Sequence, residues 1–467
     1  MSQEERTGLG VRGSGLERQS SELKRIVAGG KGLSFRAPSP EPRAPFLLAI
    51  ALALTACTPV RNAKPVNLEL WAMGREGEVV QELMPEFERR NPGIHVRVQQ
   101  IPWTAAHEKL LTAFVGDATP DVAQLGNTWI PELVALRALA DLTPRVGTGR
   151  AVDEASNFPG IWATNVIDGA VYGIPWYVDT RVLFLRTDLL AQAGVAAPPR
   201  TWAAWRDAMV RVKSLPGGER FGILLPTSEW AQPVLLGIQA GATLLRDGDR
   251  FGAFRAPEFR RAFDFYISLF KDRLAPALNA NQVANVYQQF GEGLFAMYIT
   301  GPWNLGEFRR RLPPRLAGSW TTAPLPAPVE AEWPGLSLAG GSSLVIFRRS
   351  PRQDAGWRLI EFLSAPEQQE AFFKASGDLP ASRVAWRAPA LAADPQAQAF
   401  FVQLQHVQPM PRIPEWEQVV TRVFEAAEQA IQGRTSVDDA LAALDRDVDR
   451  MLEKRRWMLD RRERESR

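Results

Sequence analysis

The residue types that carry catalysis or bind metals are few and widely separated in this sequence. Three histidines occur, His95, His107 and His406, and their spacing fits no metal site. The segment HEKLL at residues 107–111 lacks the second histidine of a zinc-protease motif. The segment GGSSL at residues 340–344 lacks the closing glycine of a nucleophile elbow. The sequence therefore predicts no metal, no cofactor and no catalytic residue, although counting does not exclude a carboxylate pair.

Tryptophan, in contrast, is abundant, with 15 residues. An indole ring can pack on the apolar C–H face of a sugar while polar neighbours bind the hydroxyls. A role in the core is the alternative for each of them, and we assign Trp202, Trp205 and Trp357 to helix packing because they occur at helical spacing among apolar residues. Trp176 and Trp303 differ, since each follows a proline beside turn residues, where a ring can be held against a cleft.

The only cysteine, Cys57, ends the apolar run LLAIALALTAC at residues 47–57. This run is shorter than the roughly 20 apolar residues that span a bilayer, and it is typical of the core of a secretory signal. Its last four residues, LTAC, resemble the lipobox of bacterial lipoproteins, in which the cysteine is acylated and the preceding peptide is removed. We therefore expect residues 1–56 to be a removed leader and signal peptide, and residues 57–65 to be a lipid-attached tether.

The charge balance argues against a nucleic-acid partner. The whole chain carries a formal charge of +3, but residues 1–56 contain 8 Lys+Arg and 5 Asp+Glu, so the remainder has 47 basic and 47 acidic groups. The polar residues 1–45 have no hydrophobic period and indicate disorder. Either the start codon is assigned too far upstream, or the leader is unusually long. Without a second cysteine, an exported chain forms no internal disulfide.

Strand and helix patterns alternate along the rest of the chain. Residues 66–71 alternate like a strand, residues 79–87 have helical spacing, and residues 94–103 follow a turn with a second strand. Further helices are predicted at 105–115, 188–193, 201–213, 257–270, 352–364 and 366–375. Beyond Pro414 the sequence is helical with a break at residues 432–434, and we expect residues 461–467 to be a frayed end. This alternation favours an α/β architecture with a largely parallel sheet, and the length favours at least two lobes.

Six segments, in order, resemble the extracellular solute-binding proteins of ABC importers, specifically the carbohydrate group related to maltose-binding protein. The segments are LELWAMGREGEVVQELMPEFERRNPGIHV (68–96), GDATPDVAQLGNTW (116–129), YGIPWYVDTRVLFLRTDLL (172–190), FGEGLFAMYITGPW (290–303), LAGGSSLVIF (338–347) and PMPRIPEW (409–416). The likeness extends from Leu68 to Leu452. It implies the two-lobe periplasmic-binding-protein fold of the class II type, with hinged lobes and a central ligand cleft.

The resemblance also implies where the lobes divide. The N-terminal lobe would comprise residues 66–179 plus 323–364, and the C-terminal lobe residues 180–322 plus 365–467. The chain would cross between them near residues 178–181, 322–324 and 365–367. Ligand contacts with both lobes would favour the closed form.

Together with the Trp176 argument, the resemblance implies a set of ligand-binding positions. Asp179 would accept hydrogen bonds from sugar hydroxyls, Trp303 would be the stacking platform, and two glycines would allow close backbone approach. Arg412 would make a bidentate contact with ring oxygens. The set is Trp71, Arg75, Glu78, Asn127, Thr128, Trp129, Trp176, Asp179, Trp230, Trp303, Gly340, Gly341, Arg412 and Trp416.

We therefore expect a monomeric receptor, held by a lipid on Cys57 at the outer face of a membrane, that captures a mono- or oligosaccharide and delivers it to the transmembrane subunits of an ABC permease. A binding protein for glycerol phosphate or a polyamine is an alternative, although only Arg75 and Arg412 are available to bind a phosphate. A secreted hydrolase using Glu78 and Asp179 as a carboxylate pair is another. A periplasmic sensor domain is a third.

Overall fold

The computed structural model describes residues 64–147, 150–283 and 285–465. The predicted leader, Cys57 and most of the tether lie outside these residues. The strands of the described part are β1 (Val66–Met73), β2 (Ile94–Ile101), β3 (Val122–Gly126), β4 (Val166–Ile167), β5 (Ala170–Val171), β6 (Ile174–Asp179), β7 (Val182–Arg186), β8 (Phe221–Leu224), β9 (Leu245–Arg246), β10 (Phe251–Gly252), β11 (Phe295–Thr300), β12 (Trp320–Ala323), β13 (Ser337–Ile346) and β14 (Val407–Pro409).

Helices alternate with these strands and dominate the C-terminal part of the chain. They are α1 (Gly74–Arg90), α2 (Trp103–Val115), α3 (Ile130–Ala135), α4 (Pro159–Ala163), α5 (Thr187–Gln192), α6 (Trp202–Lys213), α7 (Ala231–Gln239), α8 (Pro257–Lys271), α9 (Val286–Glu292), α10 (Trp303–Arg311), α11 (Gln353–Ser364), α12 (Pro366–Ser376), α13 (Pro389–Ala392), α14 (Pro395–Gln403), α15 (Trp416–Ile431), α16 (Val437–Met451) and α17 (Glu453–Glu465). This confirms the predicted α/β class. The prediction of a largely parallel sheet is wrong, because β13 pairs antiparallel with β3 and β6, and β7 pairs antiparallel with β11 and β12.

The first sheet contains six strands in the order β14-β13-β3-β1-β2, with β6 also paired to β13. Strand β1 runs parallel to β2 and to β3. Alternate side chains of β1 enter different cores, because successive residues of a strand point to opposite faces. Leu68 and Leu70 enter the core shared with α1, whereas Trp71 and Met73 enter the core shared with α2. Both faces are apolar, as expected for parallel strands covered on each side.

Helix α1 covers one face of this sheet through an apolar stripe. Val79, Val80, Met84 and Phe87 are buried along it, at the helical spacing visible in the sequence. The second sheet has four strands in the order β12-β7-β11-β8. It packs against α6, α7, α8 and the C-terminal helices α15 and α16, which share one core with it.

The chain passes from the first sheet to the second within two residues. Strand β6 ends at Asp179, paired with β13, and β7 begins at Val182, paired with β11 and β12. A return passage lies between β12 and β13. Helix α12 contributes Phe372 to the core under the first sheet and Phe373 to the core that includes residues of β7 and β11. The exact lobe boundaries named above stay predictions.

The predicted long helices have local causes that the structure makes visible. Thr201 accepts a hydrogen bond from the Ala204 amide and caps α6, while Pro257 and Pro366 occupy the first turn of α8 and α12. The prediction of a frayed end at 461–467 is wrong for most of that segment, because α17 continues to Glu465. An Arg461–Glu465 ion pair one turn apart and a contact of Arg250 with Glu463 stabilise it. Among the described residues, none of the helices combines the length and apolarity needed to cross a membrane.

Substitution of Gly341 tests how closely β13 pairs with β6. Its φ is +150°, and a Cβ there would lie 2.3 Å from the Tyr177 carbonyl oxygen. We expect Gly341→Ala to lower the free energy of unfolding by more than about 2 kcal/mol, because backbone strain and a backbone clash add. The control is Gly93→Ala, where φ is +91° but nothing lies within 4 Å; it should cost about 1 kcal/mol. Urea denaturation would measure both, and equal losses would contradict this account.

Candidate functional site

Polar side chains from four separate segments meet where the chain passes between the two sheets. Glu76 lies in the first turn of α1, Tyr177 and Asp179 end β6, Asp378 follows α12, and Trp303 begins α10. Arg181 lies between β6 and β7. We call Glu76, Tyr177, Asp179, Arg181, Trp303 and Asp378 the crossing site.

A buried hydrogen-bond network fixes Glu76 in this site. The Tyr177 hydroxyl donates to Glu76 Oε1 at 2.8 Å, and Gln124 Nε2 donates to the same hydroxyl oxygen at 2.8 Å. Gln124 in turn accepts from the Met73 amide at 2.8 Å and donates to Ser342 Oγ at 3.1 Å. Because every member is buried and paired, the network sets the position of the Glu76 carboxylate rigidly.

Burial raises the pKa of each of the three carboxyl groups in the crossing site. For Asp378, desolvation and the negative charges of Glu76 and Asp179 raise the pKa to about 8. Desolvation also raises the pKa of Glu76 and of Asp179, and Arg181 partly offsets the effect on Asp179. The arrangement therefore keeps at least one carboxyl group protonated near neutral pH, so the site offers both hydrogen-bond donors and acceptors.

Arg181 joins the carboxylate and aromatic parts of the site. Its Nη1 donates to Asp179 Oδ1 at 2.6 Å, and its guanidinium carbon lies 4.5 Å from the centre of the Trp303 ring. Trp303 is 38% exposed, an unusual fraction for such a large apolar side chain. The ring also lies against Gly301, where a Cβ would be only 1.9 Å from Trp303 Cζ3. Glycine at this position is what allows the ring to lie flat there.

A chain of aromatic contacts continues from Glu76 to helix α2 and to the short helical turn that follows β3. Trp103 Nε1 donates to Glu76 Oε2 at 3.5 Å. The Trp103 and Trp129 ring centres are 5.6 Å apart, and the His107 ring lies 5.2 Å from Trp129. His107 Nε2 is 2.7 Å from Glu132 Oε2, and this hydrogen bond is the largest cause of the raised pKa of His107.

Helix α15 approaches this chain of contacts from the core of the second sheet. Burial raises the pKa of Glu417, while the nearby Thr128 side chain and His107 charge partly lower it. Glu417 Oε1 and Trp416 Nε1 are buried and have no hydrogen-bond partner among the described residues. The Trp416 ring contacts Trp230 edge-on, with 6.1 Å between centres.

Several positions predicted to bind ligand are packed into cores. Trp71 is buried under the first sheet, with its Nε1 donating to Glu69 and Lys109 lying 4.7 Å above its ring. Trp176 is buried, and its ring centre lies 4.4 Å from that of Phe372. Trp416 is fully buried. These placements give each indole a packing role, and a ligand-binding role for them stays a prediction.

Other predicted positions are engaged with the backbone or with neighbours. Buried Asn127 donates to Thr164 Oγ1 at 2.7 Å and accepts from Ser343 Oγ at 2.8 Å. Arg412 donates to two backbone carbonyls, those of Ala163 and Val166.

Near the start of α1, Glu78 accepts from Gln100 at 3.1 Å, and Arg75 donates to the Ala375 carbonyl at 3.1 Å. Gly340 and Gly341 pair with the end of β6. The structure thus places Arg75, Asp179 and Trp303 at or beside the crossing site, and Thr128 and Trp129 next to the aromatic contacts that lead away from it. Asn127, Glu78 and Arg412 make other contacts.

The sequence analysis missed Glu76, Tyr177, Arg181 and Asp378. Glu76 lies between Arg75 and Glu78, which are both among the predicted ligand-binding positions. Arg181 is two residues from Asp179, so the local sequence offered a hint for both. Asp378, in the segment SGDLP, offered a weaker one: a single acid next to an apolar stretch. Its proximity to Glu76 is set by contacts some 300 residues apart and has no signal in one sequence.

Two cavities among the described residues lie away from most of the predicted positions. One of about 520 Å³ is bordered by Ser156, Arg383, Trp386 and Phe401. Another of about 520 Å³ includes only Arg412 among the predicted residues. No group of three or more His, Cys, Asp and Glu in the described part of the chain is arranged to hold a metal ion.

Comparison with known proteins gives a consistent picture. A family model for bacterial extracellular solute-binding proteins matches residues 73–370. The solved structure of the sugar-binding protein MalE from Xanthomonas citri is 47% identical, with a TM-score of 0.80, covering 85% of this chain and 99% of that one.

Among curated relatives, the diacetylchitobiose binding protein DasA of Streptomyces coelicolor is 26% identical, over 76% of this chain and 81% of its own length. A galactooligosaccharide-binding protein of Bacillus subtilis is 24% identical, over 84% of this chain and 92% of its own length. The match to MalE and to the family model also confirms the predicted two-lobe fold class.

The raised pKa of Asp378 predicts a pH dependence of stability with a defined sign. A carboxyl group whose pKa is higher folded than unfolded holds its proton more tightly in the folded state, so stability falls as pH rises between about 4 and 8. We expect Asp378→Asn, a neutral mimic of the protonated form, to reduce this fall. Thermal unfolding as a function of pH would measure it.

The matched control is Asp354→Asn. Arg145 lowers the pKa of Asp354, so its contribution is present above its unfolded pKa and is lost only in more acid solution. This variant should leave the slope between about pH 4 and 8 unchanged. An identical slope in wild type and Asp378→Asn would rule out the proposed protonation of Asp378.

Proposed function

The chain belongs to the bacterial extracellular solute-binding protein family, and from that premise we propose that it is the substrate-binding component of an ABC importer that captures a mono- or oligosaccharide. The observation that carries the proposal is the crossing site. It combines a partly exposed indole ring with the two buried carboxyl groups of Glu76 and Asp378 and the half-buried carboxyl group of Asp179, at the passage between the two sheets.

This combination suits the two kinds of surface on a pyranose ring. The C–H face is apolar and packs on an indole, while the hydroxyl groups at the ring edge donate to carboxylates. Trp303 supplies the first surface, and Asp179, which pairs with the arginine stacked on that ring, supplies an acceptor for the second. A protonated Asp378 or Glu76 adds a donor for a ring or hydroxyl oxygen.

The groups that would contact the sugar come from both sheets, so we expect the protein to close on its ligand. Glu76 and Asp179 belong to elements of the first sheet, whereas Trp303 begins a helix that follows β11 of the second sheet. A sugar that contacts both sets gains interactions only when the two sheets are held together, so binding favours that arrangement.

The charges of the site weigh against a phosphorylated ligand. Three carboxyl groups face two arginines, Arg75 and Arg181, and Arg181 is already paired with Asp179. Arg412, the other cation expected to bind a phosphate, donates to backbone carbonyls instead. The same excess of carboxyl groups next to an indole ring favours a polyamine as the second candidate ligand, since both groups attract cations.

The contacts of Glu78 give no support to a hydrolase. Glu78 accepts a hydrogen bond from Gln100 and pairs with Arg75, and in the described part of the chain no hydrogen bond or ion pair joins it to Asp179. The family and the relatives above are binding proteins. We propose that this chain likewise binds its sugar without changing it.

We also propose that the protein works as a monomer outside the cytoplasmic membrane, held there by acyl chains on Cys57, and that it delivers its sugar to the permease subunits. Support comes from the extracellular family and from the LTAC segment that precedes the folded part. Each buried CH₂ of an acyl chain contributes about 0.8 kcal/mol to membrane attachment.

Titration calorimetry against a ligand panel tests the sugar proposal. We expect the purified protein to bind a member of a set of mono- and oligosaccharides, and Trp303→Ala to weaken that binding by about tenfold or more, because an aromatic platform is lost. The matched control is Trp457→Ala, which removes a 58%-exposed tryptophan of α17 and should leave affinity unchanged.

The same panel includes glycerol 3-phosphate and spermidine. Binding of either one, with no sugar bound, would reject the carbohydrate assignment. Release of a monosaccharide from any oligosaccharide during a prolonged incubation would reject the assignment as a simple binding protein.

The anchor is tested separately by expression of the full chain in a bacterial host. We expect wild type to partition into the detergent phase of Triton X-114 and to incorporate labelled palmitate, because the acyl chains carry it there. Cys57→Ala should remain in the aqueous phase without label. Equal partitioning of the two proteins would refute lipid attachment at Cys57.

A further inference from the structure

We propose that Arg181 is a built-in competitor for the sugar at the crossing site: its guanidinium takes the position over Trp303 and against Asp179 that a sugar ring would take, and the sugar must displace it. This inference rests on the proposed function. It assigns to Arg181 a role in setting affinity and selecting ligands.

The first argument is that Arg181 contacts both groups that a sugar needs. Its guanidinium carbon is 4.5 Å from the centre of the Trp303 ring, and Nη1 is 2.6 Å from Asp179 Oδ1. A planar cation on an aromatic face with a carboxylate at its edge has the same outline as a pyranose that packs its C–H face and donates a hydroxyl. The two cannot occupy this place together.

The second argument is that Gly301 packs closely against the Trp303 ring and blocks part of it. The ring lies against Gly301 so closely that a Cβ at that glycine would be 1.9 to 2.5 Å from three of its ring carbons. A sugar ring is far larger than a methyl group and does not fit there. Gly301 contacts the ring through its backbone and cannot move aside for a sugar, whereas the side chain of Arg181 can.

The third argument concerns how Arg181 can move. Its backbone is held on both sides, because the Arg181 amide donates to Ser337 Oγ and the Ser337 hydroxyl donates to the Arg181 carbonyl, each at 2.9 Å. Within the described part of the chain, the hydrogen bond and the cation–π contact of the side chain join it to Asp179 and Trp303. Rotation of the side chain alone, without a shift of the crossing, therefore uncovers the ring.

The consequence is a reduced apparent affinity and a sharper selection of ligands. When the binding-competent form is a minor fraction, the apparent dissociation constant rises in inverse proportion to that fraction. A ligand that replaces only one of the two contacts of Arg181 binds weakly, because the loss of the other contact is not compensated. A ring with both an apolar face and an adjacent hydroxyl donor replaces both contacts and is preferred.

The opposite role, in which Arg181 itself binds the sugar, predicts the opposite result on substitution. Removal of a ligand-binding guanidinium weakens binding, whereas removal of a competitor strengthens it. The two roles are therefore separated by the direction of one measured change.

The experiment compares wild type with Arg181→Ala and Arg181→Met, the second of which keeps the apolar stem. Calorimetry with the best sugar of the panel should show binding about tenfold tighter for both variants, because the competent fraction approaches one. Unchanged or weaker binding in the variants would overturn the proposal.

The matched control is Arg200→Ala. Arg200 lies 4.4 Å above the Trp333 ring and 3.4 Å from Glu330, so it makes the same pair of contacts away from the crossing site. This variant should bind the sugar as wild type does. Tighter binding in Arg200→Ala as well would show that the gain is a general effect of losing an arginine.

A second readout needs no sugar. Trp303→Phe is used to isolate the Trp303 contribution to fluorescence, and acrylamide should quench that contribution more strongly in Arg181→Ala than in wild type. If wild type bound no sugar, the proposed function would fail, while this quenching would still decide whether Arg181 covers the ring. Equal quenching in the two proteins would overturn the competitor role independently of any ligand.

Discussion

The two-residue passage from β6 to β7 is the constraint on which the candidate site depends. Pairing of β6 with β13 ties one end of this passage to the first sheet, and pairing of β7 with β11 and β12 ties the other end to the second. Only Thr180 and Arg181 lie between. Because so short a link cannot absorb strain, Asp179 and Arg181 are held at the junction of the sheets, facing the groups that both sheets supply.

The passage also explains why so many polar groups are tolerated at low exposure. Burying a carboxyl group is costly unless it is paired or protonated. Here Tyr177 donates to Glu76, Arg181 pairs with Asp179, and a proton offsets the remaining charge near Asp378. The groups of such a site make few hydrogen bonds with one another, and a ligand rich in hydroxyl groups can make many more with them. That chemistry is the physical basis of the proposed sugar binding.

Arg181 adds a second level to this picture. A site with an exposed indole and a desolvated carboxylate attracts any compact cation or small planar molecule. A tethered guanidinium that already makes both contacts excludes such weak binders, and yields only to a ligand that replaces both. The competitor thereby turns a generally attractive surface into a selective one. Displacement of Arg181 also lowers the affinity for the correct ligand.

The sequence alone determined the α/β class, the long helices and the residues adjacent to the crossing, because hydrophobic period, capping residues and turn residues are local signals. Helix α6 could be inferred in this way, whereas Asp179 was identified by the family resemblance and Trp303 by that resemblance and the proline before it. The pairing of Arg181 with Trp303 and the approach of Asp378 to Glu76 were decided only by the tertiary structure. Those contacts join residues about 120 and 300 positions apart, and their geometry depends on strand pairing and desolvation, which no short window of sequence encodes.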